Sequence, residues 1–394
     1  MRQPVFITLF FSVFIAVTGV GIVVPLLPVY AHDLGASGLA ISLIFGAFSI
    51  SRTFLLPFFG RLSDKKGRKP FIVAGLFCYG LISLLFVAAR GINDLIAIRF
   101  LHGIASAMVM PVAQAYIGDI TPKGREGFFM GMFNMSMFTS LSLGPLIGGI
   151  LSTHMGMHWA FIAMGIMAFT GCMASLVCLP PLGKERFNNQ NPSAYPWKAF
   201  VTDPTFAGIF FYRFAYTCGI GIIWCFLPLL AHIRFQMTSD VIGVLVMAGI
   251  FVSGLLNIPM GWMADRYSRK GMVLTGGLLV AAGMGTIGIA NGFMELLGGI
   301  ILFGMGGGIS VPAITAMAVT IGKQQQAMGG AMALLTMAHS MGMLAGSLAA
   351  GIAMDFFSLD TAFPMAAIFL VISLALTLLL FRIRKKQTES SIKK

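Results

Sequence analysis

Twelve apolar runs, each about 20 residues long and so able to cross a hydrocarbon core about 30 Å thick, follow one another along the 394-residue chain. Lipid offers backbone N–H and C=O groups no hydrogen-bonding partner, so a chain crosses it only as helices or as a closed barrel. Runs of this length exceed the short alternating strands of a barrel. The expected fold is therefore all-α and integral to the membrane, with twelve transmembrane helices. Composition agrees, since 57% of the residues are hydrophobic and 10% charged, against about 25% charged in soluble domains. The first run is longer than a signal peptide's apolar region and has no small-residue cleavage site before the next loop, so it is expected to be helix 1 rather than a leader. No separate soluble domain is expected.

An even number of crossings puts both termini on one side. Residues 61–69, 119–127, 181–204, 264–271 and 321–327 fall there too, and with the termini they hold 21 of the 26 Lys and Arg. The opposite loops hold only Arg90 and Arg234, while Arg52, Arg99 and Arg213 lie inside helices. Basic loops mark the cytoplasmic face, so the net charge of +13 reports topology and does not point to a nucleic-acid partner. Five cysteines, Cys78, Cys172, Cys178, Cys218 and Cys225, fall in apolar runs without a CxxC pair. They read as apolar filler rather than disulfides or metal ligands.

One polar knot stands out. Residues 60–69 read GRLSDKKGRK, and 201 positions later residues 261–270 read GWMADRYSRK, with Gly, Asp and Arg at the same spacings. The duplication extends further. GVGIVVPLLPVYAH at 19–32 parallels GIGIIWCFLPLLAH at 219–232, Gly103 and Pro111 parallel Gly304 and Pro312, and Gly144 and Gly149 parallel Gly346 and Gly351. The chain reads as two six-helix bundles, residues 1–180 and 205–394, the second ending in a short basic tail. A polar linker at 181–204, rich in Pro and Asn, joins them. Parallel six-helix repeats are a transporter architecture in which substrate binds near the midplane and one half rocks against the other.

Four strings in order, GRLSDKKGRK, GWMADRYSRK, LIAIRFLHG at 95–103 and GMFNMSMFTSLSLGPLIGG at 131–149, together resemble the signature set of the major facilitator superfamily. The last is similar to the antiporter motif of its drug:proton antiporter branch, with Gly131, Gly144, Pro145, Gly148 and Gly149 in place and Ser140 where that branch usually has Gly. With GIVVPLLP in helix 1 and AYIGDITPKGREG at 115–127, the chain resembles multidrug and tetracycline exporters. That resemblance implies alternating access in a bacterial inner membrane, protons as the coupling ion, a monomer, a small-molecule substrate, and neither cofactor nor ATP. It also implies a cytoplasmic gate of Gly60, Asp64, Gly67, Arg68 and Asp119, echoed by Gly261, Asp265 and Arg269. Asp64 would meet the positive end of a helix near Gly329, with Arg68 bridging to Asp119. The plainer alternative is that these charges only set topology. The copies are unequal, since Thr320 stands where the offset matches Asp119.

The residues add their own expectations. A ten-residue connection between helices 2 and 3 must turn tightly, which favours Gly67, while Gly60 permits close helix contact. In helix 5, Pro145 removes a backbone hydrogen bond and its neighbouring glycines admit another helix closely. Arg52 and Arg213 lie about 12 to 13 Å deep at 1.5 Å per residue. Such an Arg costs about 2.5 to 3.5 kcal/mol on insertion scales and is tolerated where it faces a bundle interior or a wet cavity. Arg99 lies shallower, within reach of the outer surface, with His102 one turn along its face. No Asp or Glu falls inside a helix, so Asp33 at an outer end is the candidate partner of Arg99. His102 and His339 are the candidate proton carriers, because His changes charge near neutral pH; neutral packing histidines are the alternative. Gln114, Asn134, Tyr212, Tyr216, Thr217 and Asn257 offer scattered polar groups, and the dense Met of helices 4, 5, 10 and 11 suits either a promiscuous pocket or ordinary filler.

Three classes of function follow. Proton-linked export of hydrophobic or amphipathic compounds is favoured by the helix-5 string. A metabolite permease, for an organic anion given three uncompensated Arg, is second. A membrane enzyme or sensor is remote, because HExxH, G-x-S-x-G and P-loop patterns are all missing from the sequence.

Overall fold

A computed structural model of the chain describes the backbone of residues 3–120, 126–180, 200, 202–325 and 328–392. Among these residues run twelve long helices and no strand: α1 (Gln3–Asp33), α2 (Gly38–Lys66), α3 (Arg68–Ala88), α4 (Ile92–Ile120), α5 (Glu126–Met155), α6 (Met157–Cys178), α7 (Pro204–Phe235), α8 (Ser239–Arg266), α9 (Arg269–Gly288), α10 (Phe293–Gln324), α11 (Met328–Phe356) and α12 (Ala362–Ile392). Eleven of them are long and apolar enough to cross a membrane, while part of α5 lies outside the described side chains. The all-α expectation is met. Most of the linker at 181–204 lies outside the described residues.

Short polar caps start several helices. Ser37 accepts from Ala40 N at 3.3 Å, and Asp203 Oδ1 accepts from Thr205 N at 2.8 Å and Phe206 N at 3.2 Å, satisfying first-turn donors that no helix can pair internally. The expected loop at 61–69 is not a loop. Helix α2 runs through Lys66 and α3 begins at Arg68, so Gly67 alone makes the joint at φ +92°, a backbone angle that side-chain-bearing residues rarely adopt. In the second copy Tyr267 and Ser268 make the joint, and Ser268, at φ −64°, caps α9 by accepting from Gly271 N at 3.3 Å.

By internal contact the chain divides into two compact units: Met1–Gln190 with Trp224–Met247, and Asn191–Ile223 with Ala248–Lys394. Leu9 and Val13 of α1, Ile72 and Leu76 of α3, and Val112 and Tyr116 of α4 are buried together in the first. Tyr116 Oη donates to Pro180 O at 2.6 Å. Lipid tails are as apolar as Leu, so close packing at small residues, more than apolar burial, holds such helices together. Between α9 and α10 of the second unit, a Cβ on Gly283 would lie 2.6 Å from Gly299 O and from Phe303 N, and one on Gly276 would lie 2.7 Å from Gly306 O.

Candidate functional site

Gly103 determines what the first unit carries at its α2–α4 crossing. A Cβ there would lie 3.2 Å from Arg52 N and nearer still to Ser51 Oγ and Phe48 O. This approach gathers Phe45, Phe48 and Arg52 from α2 with Arg99 and His102 from α4. The Arg99 guanidinium carbon is 4.3 Å from the Phe48 ring centre and 5.2 Å from that of Phe45, and that of Arg52 is 5.9 Å from Phe48. Such distances allow attraction between the cation and the ring face. The His102 ring lies 5.8 Å from Phe48 and 4.0 Å from Tyr79 of α3. Arg99 Nη1 stands 3.4 Å from His102 Nδ1, a long hydrogen bond. Because a guanidinium only donates, Nδ1 must accept, which makes the ring neutral with its proton on Nε2.

Arg99 is 4% exposed and His102 0%. Arg99 therefore does not reach the surface as expected from its depth, and the expected Asp33–Arg99 pair is not formed. Asp33 instead lies 3.8 Å from His32. Among the described residues no carboxylate pairs with Arg52 or Arg99. Among the described residues, Arg52 Nε, Arg99 Nε, His102 Nε2 and Tyr79 Oη are buried without a hydrogen-bond partner. Sequence reasoning missed Phe45, Phe48 and Tyr79. The spacing of Phe45, Phe48 and Arg52, three then four residues, was the available signal that they share one helix face.

The second unit holds its own Arg–His pair. Arg213 Nη2 of α7 lies 3.3 Å from His339 Nδ1 of α11, which fixes the same tautomer by the same argument. Glycine again sets the approach: a Cβ on Gly342 would meet Thr217 and Phe214, and one on Gly221 would lie 3.1 Å from Met343 Cα. Buried Thr217 Oγ1 lies 2.9 Å from Arg213 O and 3.3 Å from Ala338 O. Tyr216 sits 5.9 Å from the Arg213 guanidinium and stacks on Phe303 at 5.5 Å, while Tyr212 is fully buried. Gln114 is exposed and Asn257 half-buried, and neither joins these clusters; the side chain of Asn134 lies outside the described residues.

At the duplicated motif, buried Arg68 donates from Nη1 to Ser63 Oγ at 2.7 Å, and Ser63 donates to Gly60 O at 2.7 Å. The side chains of Asp64 and Asp119 lie outside the described residues. In the second copy Arg269 Nη2 is 3.7 Å from Asp265 Oδ1, Nε donates to Ala264 O at 2.9 Å, and Nη1 donates to Thr320 Oγ1 at 2.8 Å. The second cluster thus has Thr320 as its third member, a neutral hydroxyl in the place that the offset assigns to Asp119. Gly60 was expected to permit close helix contact, yet no described atom lies within 4 Å of a Cβ built on it or on Gly261. A glycine at the end of a helix need not face a neighbour.

In α5, Gly131 lies outside the described packing, and buried Ser140 donates one turn back to Ser136 O. A Cβ on Gly144 would lie 2.6 Å from Gly21 Cα and Thr18 O of α1, and one on Gly148 would lie 2.9 Å from Ile22 O. A Cβ on Gly149 would lie 2.9 Å from Asp240 Cα at the start of α8, and the Pro145 carbonyl sits against Gly243 of that helix. Thr153 Oγ1 donates to Asp240 Oδ1 at 3.1 Å and accepts from Asp240 N at 3.1 Å.

Many membrane-length helices, a duplicated motif set and an intramembrane arginine beside aromatic rings within each unit define a multi-pass membrane transporter. The Major Facilitator Superfamily model matches residues 9–230 and 209–394, and the chain belongs to that family. An uncharacterised transporter of the family from Methanocaldococcus jannaschii is 29% identical over 376 residues, covering 94% of this chain and 96% of its own. The quinolone resistance protein NorA of Staphylococcus aureus is 31% identical over 209 residues, 51% of this chain and 53% of its own. Among solved structures, the nucleoside transporter NupG superposes with a TM-score of 0.81 at 11% identity, covering 96% of this chain and 100% of its own. A human organic anion transporter gives 0.67 at 18% identity, covering 95% and 99%. At these identities the likeness is one of fold.

Proposed function

We propose that this transporter is a proton-coupled exporter of hydrophobic or amphipathic compounds. One observation carries the reading. Gly144 and Gly148 of the antiporter-like string lie against α1 while Gly149 and Pro145 lie against the start of α8, so the string forms a small-residue seam between helices. Such a seam lets packed helices move against one another without prising side chains apart. The partial similarity to NorA supports the same branch. Asp64, Arg68 and Asp119 act as the stronger cytoplasmic latch, and Asp265, Arg269 and Thr320 as its weaker counterpart. The chain works as a monomer in a bacterial inner membrane with both termini cytoplasmic.

His102 and His339 carry the coupling proton. Each accepts from an Arg through Nδ1. A proton arriving at Nδ1 removes the acceptor and sets an imidazolium beside a guanidinium, so protonation and release of the Arg are one event. Among the side chains His is the one whose unperturbed charge change lies nearest neutral pH.

The test is expression in a host stripped of its own efflux pumps, challenged with a panel of toxic amphipaths with and without a proton uncoupler. Resistance that the uncoupler abolishes supports export. Growth rescue on a scarce nutrient, with no resistance to any compound, would overturn it in favour of uptake.

A further inference from the structure

The α2–α4 crossing holds more positive charge than coupling a proton requires. Arg52 and Arg99 cannot lose their charge, both lie against Phe48, and among the described residues neither has a carboxylate within ion-pair range. Around them, among the described residues, Arg52 Nε, Arg99 Nε, His102 Nε2 and Tyr79 Oη are buried donors without an acceptor. Tyr79 is 2% exposed, and Arg99 and His102 are no more open than the values given above.

The fold does not demand these groups. In the second unit Gly304 meets Gly249 as Gly103 meets Phe48, and the positions 201 residues beyond Arg52, Arg99 and His102 are Ser253, Ile300 and Phe303. The same helix crossing is therefore built once with three basic side chains and once with none. A buried charge lacking its partner is costly and marks a site that something of opposite charge fills.

We propose that the crossing seats a carboxylate of the transported compound, held by Arg52 and Arg99, with an apolar body lying against Phe45 and Phe48. The chemistry fits donor for acceptor. A carboxylate accepts at two oxygens in the plane that a guanidinium fork offers, and Arg99 Nη1 is engaged with His102 while its Nε is not. Tyr79 supplies a neutral donor from a third helix. The substrate class is thus amphipathic organic carboxylates. This deepens the exporter reading and rests on it for the word transported.

Full-length protein is reconstituted in phosphatidylcholine vesicles, which present no anionic headgroup, and given three probes of one body: naphthaleneacetate, naphthaleneacetamide and naphthylmethyl-trimethylammonium. Binding of the acetate is expected to be at least about tenfold tighter than of the amide, the range of a charge-assisted contact. Arg52→Gln and Arg99→Gln should each bring that ratio close to one, Arg52→Lys should keep most of it, and Tyr79→Phe should lower it a few-fold. The ratio is read within one preparation, so an inactive fraction cancels. Equal binding of acetate and amide overturns the proposal, as does a ratio that survives both Gln variants. Uncoupler-sensitive efflux of the ammonium probe, with the acetate neither moved nor competing, sinks the carboxylate site and leaves export standing. Arg-dependent acetate binding with no driven efflux of any probe sinks export and leaves the site.

Discussion

At the α2–α4 crossing Gly103 brings its helix against Phe48, and at the α8–α10 crossing Gly304 does the same against Gly249. The first carries Arg52, Arg99 and His102, while the second carries Ser253, Ile300 and Phe303. Duplication preserved the backbone approach and not the chemistry. The duplicated loop motif diverges in the same direction. Arg68 and Arg269 both reach back to the preceding helix, through Ser63 Oγ in one copy and the Ala264 carbonyl in the other. The joint between helices is a positive-φ glycine in the first copy and a tyrosine with a capping serine in the second. Close helix contact constrains glycines, which the repeat keeps, whereas charge is needed only where something charged is handled.

The largest effect is expected from Gly103→Ala, whose added Cβ would collide with the Phe48 carbonyl and Ser51. Folded protein recovered after gel filtration should fall severely, and Gly304→Ala should do the same through the Gly249 carbonyl. If only the first were damaging, the two crossings would not be equivalent. Next comes Asp64→Asn, expected to impair flux in membrane vesicles much more than Asp265→Asn. Equal losses would remove the idea of unequal latches.

His102→Ala and His339→Ala should each lose proton-driven accumulation while sparing exchange of substrate down its gradient. Full driven transport by both variants would take histidine out of the mechanism. The smallest effects separate the two joints. Gly67→Ala forces a side chain into φ +92°, ψ 155°, a region essentially reserved for glycine, at about 1 to 3 kcal/mol, and Ser268→Ala removes a cap worth about 1 kcal/mol, both read as shifts in thermal unfolding. Gly60→Ala, with no described atom within 4 Å of the added Cβ, should be neutral or slightly stabilising, since Ala favours a helix over Gly by about 1 kcal/mol.

Several parts of this arrangement were legible in the residues. Arg99 and His102 are one turn apart on one helix, and that spacing sufficed to pair them. The pairing of Arg213 with His339, 126 positions away, has no sequence spacing to announce it. Gly60 and Gly67 look alike in the string GRLSDKKGRK, yet only Gly67 takes a special backbone angle and neither meets a close neighbour. The expected ten-residue loop failed because Lys, Arg, Ser and Asp read as loop residues by polarity, although most of them continue a helix well once it leaves the lipid.

By itself the sequence determined a membrane-spanning all-helical fold, its duplication and its charge asymmetry, because lipid forces backbone pairing inside each apolar run and the repeat is written in order along the chain. Tertiary structure alone decided which of the buried charges share a site. That depends on where glycines let two helices touch, and it moved Arg99 away from Asp33 and the surface to the aromatic rings of α2.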